Sequence, residues 1–115
     1  MKARRTLRAA RRLLEEGFVD DAASRFYFAL FQAAVHALER QGRKPGDFRS
    51  GAGKWGHRMV DELVPLVRGE AEDRVLFGEL RKLRSSADYE SRSVERRTLE
   101  FLQHEVERFV REATA

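Results

Sequence analysis

The stretch Phe26-Tyr27-Phe28-Ala29-Leu30-Phe31-Gln32-Ala33-Ala34-Val35-His36-Ala37-Leu38 decides the fold, because it is apolar on nearly every face of a helix. A helix of this kind buries more than one stripe, so it must be wrapped by neighbours on several sides. Gln32 and His36 interrupt the run, which falls short of the roughly 18–20 apolar residues that a membrane span requires. The chain therefore reads as a soluble protein with this helix at its centre.

Working outward, Ala3, Leu7, Ala10 and Leu14 recur at helical spacing with Arg4, Arg8 and Arg11 on another face, and Gly17 stands where this helix would stop. The spacing predicts a first helix over 3–16, with Asp20 or Asp21 capping the second. Gln41 to Gly53 carries Pro45 and four glycines, so it reads as the long loop between two helical hairpins. A third helix places Trp55, Met59, Leu63 and Leu66 on one stripe, and Pro65 must kink or end it near Val64. The fourth spans about 71–89 with Leu76, Leu80, Leu83 and Ala87 facing inward. The fifth spans about 93–113 with Leu99, Leu102, Val106 and Phe109 doing the same. No strand pattern occurs. The expectation is an all-α, up-and-down bundle of four main helices plus one short helix.

At 115 residues the chain is one domain. It has no cysteine, which excludes disulfides, thiolate nucleophiles and cysteine-ligated zinc and favours a cytoplasmic protein. The N-terminus is charged through Arg12 and lacks the apolar core of a signal peptide. The net charge of +4 is uneven. Residues 1–12 hold Lys2, Arg4, Arg5, Arg8, Arg11 and Arg12 with no acid, whereas the remainder carries two more acids than bases. Such a stripe can follow a nucleic-acid backbone or an acidic partner, or form the wet face of an ordinary helix. Arg4, Arg8, Arg11 and, at the opening of helix two, Arg25 are the candidate nucleic-acid contacts.

Gly46, Gly51 and Gly53-Lys54 suggest a phosphate-cradling loop, but the register fails and no strand precedes it. His36, His57 and His104 lie on three different helices without metal-ligand spacing, so no metal or other cofactor is expected. His36 reads as a hydrogen-bonded core residue, His104 as a surface residue beside Arg108, and His57 as the histidine nearest a cleft. Helix two is too apolar, and helix one too poor in Asn and Gln, for sequence-specific reading of DNA. The informative motif is Arg84-Ser85-Ser86-Ala87-Asp88-Tyr89 near the end of helix four. An arginine there beside an acid and a phenol can grip a phosphate through two oxygens. Arg84 and Asp88 also have the spacing of a solvated intrahelical ion pair worth about 0.2–0.5 kcal/mol.

Ser24-Arg25-Phe26-Tyr27-Phe28-Ala29, then His57, then Arg84-Ser85-Ser86-Ala87-Asp88-Tyr89 resemble, in order and spacing, signatures of the HEPN superfamily, and most closely its small bacterial members. The likeness runs from about Leu14 to Phe109. It implies a homodimer in which Arg84, Asp88, Tyr89 and His57 serve a shared catalytic cleft for RNA or a nucleotide. It also implies a toxin-like role beside a minimal nucleotidyltransferase, with Tyr89 as the residue that could receive AMP. Active members pair arginine with a histidine that follows after four to six intervening residues. Here that window holds Tyr89, Glu90 and Ser91, so weak or altered RNase activity is expected. The other reading is a non-catalytic dimerisation or adaptor module that docks a nucleotidyltransferase.

Overall fold

The computed structural model describes residues 1–45, 54–89 and 94–115, with residues 86–89 followed through their backbone alone. Four long helices carry the fold: α1 (Lys2–Glu15), α2 (Val19–Arg40), α5 (Glu72–Tyr89) and α6 (Arg96–Ala113). The short helix expected from the sequence is divided into α3 (His57–Leu63) and α4 (Pro65–Arg68). Pro65 causes the division. It lacks the N–H that would continue α3, and it sits in the first turn of α4, where no such donor is needed.

Among the described residues α2 touches all five other helices, whereas α1 and α5 do not meet. Phe26, Tyr27, Ala29, Leu30, Ala33, Ala34, Ala37 and Leu38 of α2 are buried. Ala29, Ala33, Ala34 and Ala37 add little bulk to α2, and α1, which packs along it, contributes Ala3, Leu7, Ala10 and Leu14 to the core. Side chains this small let the two backbones run close along their length. The partly buried Thr6 Oγ1 donates to Gln32 Oε1 at 2.7 Å across the same pair.

Both long N-terminal helices end with a glycine in the left-handed region, Gly17 at φ +89° and Gly42 at φ +82°. At each end the carbonyls left over are satisfied by backward bonds: Phe18 N–H to Leu13 O and Gly17 N–H to Leu14 O, then Arg43 N–H to Leu38 O and Gly42 N–H to Glu39 O. The expected cap at Asp20 or Asp21 does not form. Phe18 is the N-cap of α2, and both acids lie inside its first turn, where they complement the helix dipole. Asp20 Oδ1 instead accepts the backbone N–H of Val94 at 2.8 Å, tying the approach to α6 onto α2.

The sequence stripes hold with shifts at their ends. Leu66 is exposed on α4, the helix that starts at Pro65, and Val60 and Val64 join Met59 in the core in its place. Leu83 and Leu102 are only partly buried, while Phe77, Val110 and Ala113 add to the inner faces of α5 and α6. α6 starts at Arg96 rather than 93, and Ala87 falls outside the described side chains, as does the glycine-rich stretch 46–53.

Among the described residues one charged side chain is buried in this core. Asp73 is 2% exposed, and Arg68 forks onto it through Nε at 2.9 Å and Nη2 at 2.8 Å. Arg68 Nη1 reaches Glu112 at 2.6 Å, and the guanidinium lies 5.3 Å from the Phe109 ring centre. One arginine thus joins α4, α5 and α6, and the hydrogen bond to Asp73 is the first cause that pushes its pKa further up.

Candidate functional site

Three elements meet around Arg84. α2 supplies Tyr27, Phe28 and Phe31, the first turns of α3 supply His57 and Asp61, and α5 supplies Arg81 and Arg84. The Arg84 guanidinium carbon lies 4.8 Å from the Phe28 ring centre and 5.4 Å from that of Tyr27, so the charge rests on two π-faces. The side chain is half-buried, its Nε fully so. It lies inward, against α2, and not on the open outer face of α5.

Tyr27 connects this cation to the histidine. Its hydroxyl is 2.9 Å from His57 Nδ1. The His57 ring also packs 4.6 Å from Phe31, 5.5 Å from Tyr27 and 6.2 Å from Phe28, centre to centre. Solvent still reaches it. Withdrawal of water by these rings, and then the charge of Arg84, hold the His57 pKa below its usual 6.5, so the imidazole is neutral at pH 7. Tyr27 moves the opposite way. Burial first and the carboxylate of Asp61 second raise its pKa, against smaller opposing effects of Arg84 and Arg81, and the phenol stays protonated. Asp61 is held in turn by Arg81 Nη1 at 2.7 Å.

A neutral imidazole bonded to a neutral phenol has two uses. With Nδ1 accepting the tyrosine proton, Nε2 carries a hydrogen and can donate to an anion. With Nδ1–H donating to the phenol oxygen, Nε2 is a free base. The adjacent fixed cation suits either role around a phosphate.

Of the residues singled out by sequence, the structure brings Arg84 and His57 into one cluster across α5 and α3. Asp88 and Tyr89 occupy the last turn of α5, with Asp88 one turn beyond Arg84, and their side chains lie outside the described residues. His36 is half-buried at a cavity of about 360 Å³ that Phe31, Val35 and Trp55 also line, rather than in the core, and His104 is exposed. Arg4, Arg8 and Arg11 share a groove between α1 and α6. Arg25 is exposed on α2 and is not part of that groove's lining. Sequence reasoning gave no role to Tyr27, Asp61 or Arg81. A tyrosine inside an otherwise hydrocarbon helix was the available signal, since a buried hydroxyl needs a partner.

No group of three or more His, Asp or Glu among the described residues could hold a metal ion, and no described helix is long and apolar enough to cross a membrane. No curated protein matches the chain significantly. The model of the HEPN domain family matches residues 1–114. With an all-helical bundle and nearly its whole length under that match, the chain belongs to the HEPN domain family.

Proposed function

We propose that this HEPN-domain protein acts on RNA or a nucleotide, in the manner of the toxin-like member of a pair with a minimal nucleotidyltransferase, and that Arg84 grips the phosphate. The carrying observation is the seating of the Arg84 guanidinium on Tyr27 and Phe28, with His57 joined to the same tyrosine. Metal-independent RNA cleavage is the chemistry that such a trio supports. The ribose 2′-hydroxyl loses its proton to Nε2 of His57 and attacks the adjacent phosphorus. The P–O5′ bond breaks, and the leaving O5′ takes a proton from solvent while His57 gives up its own to solvent, leaving a 2′,3′-cyclic phosphate and a 5′-hydroxyl end. Arg84 offsets the charge on the non-bridging oxygens as they crowd. Asp88 and Tyr89 extend the site along the last turn of α5, and a second copy of the chain completes the cleft.

The test is incubation of the purified chain with single-stranded and structured RNA, with and without chelator, beside Arg84→Ala and His57→Ala. Cleavage that survives chelation and is lost in both variants, while both melt within a few degrees of the parent, supports the reading. Cleavage retained by Arg84→Ala overturns it. A sedimentation experiment that finds only monomer at working concentration removes the shared cleft.

A further inference from the structure

The geometry points to a second anion-binding surface, on the far side of α2 from Arg84: a groove between α1 and α6 that holds the phosphodiester backbone of a single nucleic-acid strand without reading its bases. It goes beyond the phosphate-gripping role proposed for Arg84 and shares no residue with it.

The groove encloses about 410 Å³, and Arg4, Arg8 and Arg11 line it from α1 while Arg111 faces them from α6. The chain thereby concentrates four guanidinium groups drawn from its two ends. On α1 the three arginines rise at roughly one per 5.4 Å helical turn, a ladder of charge along one wall. Glu107 is the one acid in the lining. It is engaged by Arg11 Nη1 at 3.4 Å and by Gln103 Nε2 at 3.1 Å, so it offsets part of the charge of a single arginine. Arg4 is held in place by its Nε donating to Thr114 Oγ1 at 2.9 Å and its Nη2 to Thr114 O at 3.4 Å. Arg8 and Arg111 make no ion pair among the described residues, which leaves their charge to an incoming anion.

The chemistry of the walls selects the partner. A membrane surface or a protein interface would draw on exposed apolar anchors. The apolar floor here is Leu7 and Val110, which are 8% and 0% exposed, and the described outer face of α1 beyond Met1 presents Lys2, Arg5, Ala9 and Arg12. Nothing in the lining offers an aromatic platform or an amide free to read a base edge. What remains is a row of phosphate binders, and a flexible single strand can follow it.

The test is fluorescence anisotropy of the full chain with labelled oligouridine between about 50 and 200 mM salt, where affinity falls with salt in proportion to the phosphates held. Arg8→Glu with Arg111→Glu is expected to weaken binding at least tenfold and to make the log–log salt slope shallower by about 1.4, or about 0.7 for each phosphate of a single strand that is no longer neutralised. Arg8→Lys with Arg111→Lys should retain most of the affinity. The control is Arg74→Glu with Arg97→Glu, equal in net charge change and exposed outside the groove, which should change binding less than about twofold. Both charge-reversed pairs must melt as the parent does. Equal weakening by the two pairs would show diffuse attraction and overturn the groove, as would tighter binding to anionic vesicles than to RNA. If Arg84→Ala abolishes cleavage while the groove pair leaves binding intact, the groove fails and the reading of Arg84 stands. The reverse outcome separates them the other way.

Discussion

Arg84 and His57 communicate through one phenol, and that makes the site testable residue by residue. The His57 pKa is held below 6.5 by partial burial first and the Arg84 charge second. Following its ring protons by NMR across pH 5–8 should give a value below that of a free imidazole. In Arg84→Ala the value should rise part of the way, since the burial remains. Tyr27→Phe removes the hydroxyl that meets Nδ1 and should cost about 0.5–1.5 kcal/mol, read from chemical denaturation. The same variant frees the imidazole to turn, so it should reduce any activity more than its stability loss explains. Arg84 stood out through a short motif, and His57 as the histidine nearest a cleft. Tyr27 did not, because its partner lies 30 positions away and only the packing of α3 onto α2 makes them neighbours.

At the scale of elements, the Arg68 cluster decides how α4 is held. Asp73→Ala leaves the guanidinium of Arg68 partly buried with its main partner gone, and loss of one side of such a pair costs about 3–5 kcal/mol. Replacing both, as Arg68→Met with Asp73→Leu, should recover much of that loss in the same denaturation measurement. Helix existence was readable from spacing alone: the stripe Ala3, Leu7, Ala10, Leu14 is buried as expected. Helix beginnings were less readable. Asp20 has the composition of a cap but serves Val94 instead, a distant partner with no local signature. Leu66 continued the stripe of its helix on paper, but the break at Pro65 puts it in α4, where it is exposed.

For the whole molecule, stability should decline in two stages on acidification. His57 is harder to protonate folded than unfolded, so stability falls as pH drops below about 6.5. Glu112 is held below its usual 4.5 first by the hydrogen bond from Arg68 and then by that from Arg108, and its contribution, present above that pH, is lost as pH falls through the folded value. Glu112→Gln should flatten the lower limb of melting temperature against pH and leave the upper one. The bundle itself followed from the apolar run of α2. The joining of α1 to α6, and with it the meeting of Arg8 and Arg111, did not, because nothing in a linear pattern says which outer helices become neighbours. Since α2 touches every other helix, no single element can peel away and uncover it. Its amides between Phe26 and Leu38 should therefore be the last in the chain to exchange with deuterium, at the free energy of global unfolding, while those of α1 exchange sooner by partial opening. Tyr27 and Phe28 would then keep their places on the slowest core of the protein even when the arginine-bearing first helix has momentarily come away.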